Sequence, residues 1–212
     1  MPSHSKHDVQ SILEEFHPRI RGVVEQAWAE WRSISAFRAE SAFGPILYSR
    51  TVANYIFDAI ARHAIDEFGI DPSVTVRFEP QTIKLIFKGA VLARFKKGDD
   101  NNLGQNNETQ AALAFVDADG ELPGLPPKTA KVEFIWSANE LQTQLERVSV
   151  VARDNDELLW EYDIESDAKS SGSVLPFILP TDGPAGTEGD KSDHGVVIKP
   201  KFPRVEEEKE EE

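Results

Sequence analysis

The period of the apolar residues changes abruptly near residue 70, and this change limits the folds open to the chain more than any other feature. From residue 53 to residue 68 apolar side chains recur every three or four positions, which is the period of an amphipathic helix. Gly69 and the Asp71-Pro72 pair then end that helix. Beyond them apolar residues alternate with polar ones, as in strands: Val74, Val76, Phe78; Ile83, Leu85, Phe87; Val91, Ala93, Phe95. A long helix that runs directly into closely spaced strands predicts an α+β domain.

Further elements are predicted on both sides of this segment. A kinked helix, or two short ones, is expected between Asp8 and Trp31 because Pro18 interrupts the helical period. Residues 33–44 lose that period. A short third helix is predicted over residues 108–115, and three more strands over residues 132–136, 145–152 and 158–164. We therefore expect residues 1–165 to form one α+β domain, with two or three helices packed on a mostly antiparallel sheet of about six strands.

The composition changes beyond this predicted domain. Residues 166–212 are rich in Ser, Gly, Pro, Asp and Glu, so they cannot bury enough apolar surface to offset the entropy of ordering. Residues 165–212 carry 12 acidic against 6 basic side chains, and the run from Glu206 to Glu212 is nearly all glutamate. We expect residues 166–212 to be a disordered acidic C-terminal tail with two short apolar motifs, at residues 174–180 and 196–203.

The charge and the missing cysteines limit the partners and the location. A formal net charge of −14 repels phosphate at long range, so binding to duplex DNA is not expected. The absence of cysteine removes disulfides and thiol chemistry and is compatible with a reducing compartment, so we expect the cytoplasm. No run reaches the ~18–20 apolar residues of a membrane span, and the N-terminus lacks the apolar core of a secretion signal. No glycine-rich phosphate loop is present, and we expect no cofactor.

One row of polar residues follows the predicted long helix at intervals of four positions: Arg50, Asn54, Asp58 and Arg62. At this spacing the side chains share one face, so they could bind an anion or a polar protein surface. The alternative is a solvated face on which Asp58 pairs with Arg62, which stabilises a helix by roughly a few tenths of a kcal/mol.

A second group of charged residues lies opposite the apolar set in the strands: Arg77, Lys84, Lys88, Arg94 and Lys96. Strand alternation predicts that these side chains form one exposed basic face within an acidic chain. Such a face could bind phosphate, RNA or an acidic protein segment. The alternative is a solvated face whose lysines discourage pairing between sheet edges.

Catalytic chemistry is only weakly marked. Asp58, Glu79 and Lys84 offer two carboxylates and a lysine, which is a candidate set for a nuclease or a nucleotide-processing enzyme. The oxygen-rich residues 99–107 do not follow the spacing of a calcium-binding loop. The five histidines include no pair at the spacing of a zinc-binding helix, so we expect no metal site.

The first apolar motif of the predicted tail is a candidate docking segment. A disordered chain with one apolar stretch can add itself to a groove or a sheet edge of a partner. The residues that would make this contact are Val174, Leu175, Phe177, Ile178 and Leu179. The alternative is that the stretch simply packs back against the domain.

Four stretches of the chain carry a resemblance to a known family. They are residues 49–54 with Phe57-Asp58, residues 89–97, residues 109–113, and residues 121–126 leading to the last strands and Leu159-Trp160. Together they resemble the poorly characterised bacterial proteins that occur as toxin partners in RosmerTA-type toxin–antitoxin pairs. The resemblance covers about residues 45–164.

The resemblance implies a growth-inhibiting toxin of unknown target, neutralised by a cognate antitoxin that joins an XRE-type helix-turn-helix to an ImmA/IrrE zinc-peptidase-like domain. It supplies no catalytic residues. On this hypothesis the basic strand face and the Arg50 to Arg62 row form the active surface, which the antitoxin or the acidic tail masks. Two alternatives stay open: a non-enzymatic acidic interaction protein (inhibitor, adaptor or nucleic-acid mimic), and a nuclease or nucleotide-processing enzyme.

Overall fold

The computed structural model describes residues 5–79, 82–104, 109–118, 120, 124–126 and 129–166. Its helices are α1 (Lys6–Leu13), α2 (His17–Glu40), α3 (Ser49–Phe68) and α4 (Gln110–Val116). Its strands are β1 (Val74–Glu79), β2 (Thr82–Phe87), β3 (Val91–Lys97), β4 (Ala130–Ala138), β5 (Leu145–Asp154) and β6 (Glu157–Asp163). The predicted fold class, helices packed on a six-stranded and mostly antiparallel sheet, is confirmed. The predicted tail beyond Ser166, with its docking residues Val174 to Leu179, lies outside the described residues.

The two N-terminal helices, α1 and α2, follow one another with only a short interruption between them. Ser5 and Asp8 cap the start of α1 reciprocally, since the Asp8 amide donates to Ser5 Oγ and the Ser5 amide donates to the Asp8 carboxylate. A 3₁₀ turn at Glu14–Phe16 separates α1 from α2, and Pro18 lies in the first turn of α2, where a missing amide donor costs little. The interruption of the helix expected near Pro18 is therefore confirmed. The helix does not end where its apolar period fades, however, and α2 continues to Glu40.

The sheet consists of two antiparallel meanders joined in the middle. Its strand order is β1-β2-β3-β4-β5-β6, and β3 with β4 is the one parallel pair among these strands. Lys88 and Gly89 both have positive φ (49° and 66°) and form the tight turn between β2 and β3. The parallel register places Arg94 of β3 opposite Glu133 of β4. Every second residue of each strand faces α1, α2 and α3, and the others lie on the opposite face of the sheet.

The main core lies between the sheet and the helices α1, α2 and α3. Phe87 is its centre, with ring centroids 5.0 Å from Phe16, 5.7 Å from Phe68 and 5.8 Å from Phe134. All four rings are buried. Burying each such side chain contributes about 1.5–3 kcal/mol, so this cluster fixes the helices against one face of the sheet.

The other face of the sheet is also covered. Ile86 and Leu92 pack against Phe115 and Val116 of α4, and Leu103 packs against Ile135 and Val151. The covering segment is supplied by residues between β3 and β4, a connection that a parallel pair requires. Among the helices that the structure describes, none has the length and apolar character needed to cross a bilayer.

Candidate functional site

The predicted basic residues do gather on the face of the sheet that points away from α2 and α3. Arg77 lies opposite Lys84, and Lys84 lies opposite Arg94, so the three form one row across β1, β2 and β3. Lys96 follows on the same side of β3. Lys88 does not belong to this face, since its ammonium pairs with Glu15 and lies 5.7 Å from the centroid of Phe16 on the helical side.

The expected exposure of this basic face is wrong. Arg94 is 5% exposed and Lys84 is 8% exposed, because α4 and residues 98–104 cover the face. Lys84 Nζ lies 2.7 Å from the Glu79 carboxylate, and Arg77 Nη2 donates to the Gly124 carbonyl at 2.8 Å. These side chains therefore already have partners within the fold.

Arg94 and Glu133 form the centre of the covered face. Nε and Nη2 of Arg94 donate to Glu133 Oε1 at 3.0 and 2.6 Å, and the guanidinium lies 3.9 Å from the ring centroid of Phe115. Arg153 Nη1 lies 3.6 Å from Glu133 Oε2. Burial lowers the pKa of Arg94, and the charge of Glu133 opposes that shift. A buried ion pair is stable only where its hydrogen-bond geometry offsets the cost of removing both charges from water. The pair also orders the segment that covers this face of the sheet.

Gly104 allows the covering segment to approach the pair closely. A Cβ at this position would lie 2.7 Å from Lys96 Cβ and 2.8 Å from Glu133 Oε2, so a larger residue does not fit. The Gly104 amide donates to Glu133 Oε2 at 3.3 Å. Burial, and then the neighbouring charge of Arg94, lowers the pKa of Lys96. Lys84 and Arg94 are thus buried in a packed layer, whereas Arg77 and Lys96 stay partly exposed at its edge, so the face is not an open binding surface.

The candidate enzyme set does not assemble. Asp58 is exposed on the solvent side of α3, and α3 packs on the helical face of the sheet. Glu79 and Lys84 lie on the opposite face, so the sheet separates them from Asp58. Among the described residues no group of His, Asp and Glu is placed to hold a metal ion. The structure therefore gives no support to the nuclease-like use of these three residues.

The polar row of α3 is exposed at all four positions, Arg50, Asn54, Asp58 and Arg62. Asp58 and Arg62 pair across one turn at 3.3 Å, which is the solvated arrangement named as the alternative. Arg62 is also held by Glu30 of α2, with Nη2 2.8 Å from Oε1 and Nη1 3.2 Å from Oε2. Its hydrogen bonds, followed by that of the Tyr55 hydroxyl, lower the pKa of Glu30 to about 2. Arg62 thus fastens α3 to α2.

A different exposed surface lies at the C-terminal end of α2 and in the segment that joins α2 to α3. Ten large apolar side chains of the described residues are exposed, and half of them fall between residues 34 and 48. We name this group the α2–α3 patch: Ile34, Phe37, Phe43, Leu47 and Tyr48, which are 36, 60, 56, 79 and 61% exposed. Such concentration of uncovered apolar surface is typical of a protein interaction site.

The local backbone holds two rings of this patch, Phe37 and Phe43, against each other. Ala42 has a positive φ of 54°, the Ala42 amide donates to the Ala39 carbonyl at 3.2 Å, and the Phe43 amide donates to the Arg38 carbonyl at 3.0 Å. This hydrogen-bond pattern is a Schellman motif, which ends α2 and folds the next residue back onto it. Phe43 consequently packs on Phe37 in an edge arrangement with centroids 6.2 Å apart.

Two arginines complete the surface. The Arg38 guanidinium lies 5.6 Å from the centroid of Phe43 and donates to the Gly44 carbonyl, and the Arg50 guanidinium lies 5.2 Å from the centroid of Tyr48. Arg50 is thus one predicted binding residue that belongs to the exposed surface. Aromatic and arginine side chains are enriched where proteins bind one another.

The sequence pattern did not predict this patch, although a signal was present. Phe37 and Phe43 fall in the segment where the helical period is lost. Large apolar residues that fit neither period have no place in a core stripe, and this is what leaves them at the surface.

Comparison with protein-family models, with curated proteins and with solved structures finds no match to this chain.

Proposed function

We propose that this chain is the growth-inhibiting toxin of a bacterial toxin–antitoxin pair, neutralised in the cytoplasm by a cognate protein antitoxin of the XRE/ImmA-IrrE-like kind. The resemblance over about residues 45–164, which includes α3, α4 and the six strands, supports the family. The observation that carries the proposal is the α2–α3 patch, because a protein that is neutralised by another needs an accessible surface to which that partner binds tightly.

The proposed mode of action is binding to a target. Asp58 lies on the opposite side of the sheet from Glu79 and Lys84, and the centre of the basic row, Lys84 and Arg94, is paired and buried. Of the polar row expected on α3, Arg50 lies beside Tyr48 of the α2–α3 patch, and Asn54 is exposed one turn further along the helix. We assign the antitoxin, and not a nucleic acid, to this surface because the chain as a whole is strongly acidic.

Induced expression in a bacterial host tests the proposal. The chain is expressed alone and together with the product of the neighbouring gene, and growth is recorded along with the amount of folded protein. We expect growth arrest with the chain alone and recovery on co-expression. Normal growth of cells that contain the folded chain would reject the toxin assignment.

A second candidate is a non-enzymatic acidic interaction protein, and the net charge of −14 together with the Glu206 to Glu212 run favours it. Deleting residues 167–212 separates the two candidates. A toxin whose tail masks it stays active or becomes more toxic without these residues. An acidic mimic loses its action, because the Glu206 to Glu212 run is removed.

A further inference from the structure

We propose that the α2–α3 patch binds an acidic segment of a partner protein that carries apolar anchor residues. The inference rests on the proposed function in one respect, which is that the partner is taken to be the antitoxin. The chemistry of the segment itself is argued from the patch.

Phe37 and Phe43 give the patch an ordered apolar centre. Both rings are more than half exposed, yet they are held in contact by the hydrogen bonds that end α2. A surface that is already ordered loses little conformational entropy when it binds. Leu47 and Tyr48 follow within five residues of Phe43 and are 79 and 61% exposed. A segment with two or more apolar anchors would cover this set, since aromatic residues in such surfaces contribute most of the binding energy.

The arginines make this part of the surface positively charged. The segment from Arg32 to Arg50 carries three bases, the third being Arg38, against the one acid Glu40, within a chain of net charge −14. Arg38 and Arg50 each lie over an exposed ring of the patch. In addition, α3 begins at Ser49 without a side-chain cap, and the first turn of a helix favours negative charge nearby. Carboxylates that flank the apolar anchors would therefore meet positive charge.

Other occupants fit less well. In a two-fold dimer the same surface meets itself, so the arginines of one copy would approach those of the other. An anionic membrane or an RNA carries an extended negative charge that the acidic remainder of the chain repels, whereas a short acidic segment places its few carboxylates beside the arginines alone.

The test measures the affinity between the full chain and the purified product of the neighbouring gene by calorimetry. Phe43→Ala and Phe37→Ala are expected to raise the Kd at least about tenfold. Arg38→Glu and Arg50→Glu are expected to raise it about tenfold at low salt and less at high salt, because the partner segment is acidic. The matched controls are Phe78→Ala and Ile70→Ala, which remove exposed apolar side chains elsewhere, and Lys6→Glu, which reverses an exposed charge on α1. These controls should change the Kd less than about twofold.

The outcomes separate this inference from the proposed function. A complex that forms with unchanged affinity for the Phe43→Ala and Phe37→Ala variants would overturn the inference and leave the toxin–antitoxin pair standing. Tighter binding by Arg50→Glu would show that the segment is not acidic. If no complex forms, the proposed partner and this inference both fail.

Three results would assign the patch to another occupant and overturn the inference. The first is a dimer in sedimentation that Phe43→Ala dissociates. The second is a gain in affinity on deletion of residues 167–212 that Phe43→Ala abolishes. The third is binding to phosphatidylserine vesicles, or to a single-stranded RNA, that the same substitution removes. Circular dichroism of each variant confirms that the exposed substitutions leave the fold intact.

Discussion

Arg94 Nη2 lies 2.6 Å from Glu133 Oε1, and the two residues are opposite one another in the parallel register of β3 and β4. Glu133 is fully buried and Arg94 is 5% exposed, so removing one partner leaves a buried charge without its main partner. This pair therefore matters far more to the fold than the ion pairs at the surface.

We expect Glu133→Ala to lower the free energy of unfolding by about 3–5 kcal/mol, as measured by urea denaturation. The double variant Arg94→Met/Glu133→Leu should recover most of the loss because it removes both charges. Glu25→Ala, which breaks the exposed pair with Arg21 (2.6 Å), should cost less than about 1 kcal/mol and serves as the control. Equal losses for Glu133→Ala and Glu25→Ala would contradict the structure at this point.

Glu30 predicts a dependence of stability on pH. Hydrogen bonds from Arg62 and then Tyr55 lower the pKa of Glu30 from 4.5 to about 2. Because the folded state favours the ionised form, this stabilisation is present above about pH 4.5 and is lost as the pH falls toward about 2. Glu30→Gln should therefore be less stable than the parent at neutral pH, and the difference should shrink over this window.

Urea denaturation of both proteins at several pH values between neutrality and about 2 measures that difference. Glu40→Gln, which changes an exposed carboxylate on the same helix, is the control and should follow the parent. A difference between parent and Glu30→Gln that stays constant across the window would be incompatible with the lowered pKa.

Ala42 predicts a stabilising substitution. It has a φ of 54°, a region that residues with a Cβ occupy only at a cost. Ala42→Gly should raise the free energy of unfolding by about 0.5–1 kcal/mol, after allowance for the greater freedom of glycine in the unfolded chain. Ala36→Gly, in the exposed interior of α2, should lower it by about 1 kcal/mol. Thermal denaturation of the two variants gives the comparison, and a loss of stability in Ala42→Gly would argue against the Schellman end of α2.

Asp58 tests whether the chain uses the candidate enzyme set. Its carboxylate is exposed, makes one weak pair with Arg62 at 3.3 Å, and lies on the other side of the sheet from Glu79 and Lys84. Asp58→Ala should change stability by less than about 0.5 kcal/mol and should leave the proposed growth arrest unchanged. Loss of growth arrest at normal stability, scored with the parent at equal expression, would restore an active role for this carboxylate.

Much of the architecture could be predicted from the sequence because the apolar periods are local signals. The boundaries of α3 and the strands follow the switch from helical to alternating spacing, and the same alternation placed Arg77, Lys84 and Arg94 on one face. The parallel pairing of β3 with β4 was not visible, since it depends on contacts between residues distant in sequence.

The state of the basic face could not be predicted for the same reason. A strand with alternating arginine and apolar residues has the same local pattern whether its polar side faces water or a covering helix. What decides the outcome is the buried Glu133 together with Phe115, and both are brought to Arg94 by the long connection between the meanders. The α2–α3 patch was missed because the period of α2 fades before the helix ends.

The parallel pairing of β3 with β4 also affects how the chain folds. Within β1–β3 and within β4–β6, each strand pairs with the strand that follows it in the sequence. The β3–β4 pairing, which places Ala93 opposite Val132, instead joins strands that residues 98–129 separate in the sequence. Bringing together strands this far apart in the sequence is entropically costly. We therefore expect β1–β3 and β4–β6 each to form early in folding and to pair with one another late. Val132→Ala should then accelerate unfolding and scarcely slow refolding in stopped-flow experiments. A substantially slower refolding rate would show that the β3–β4 pairing belongs to the folding nucleus.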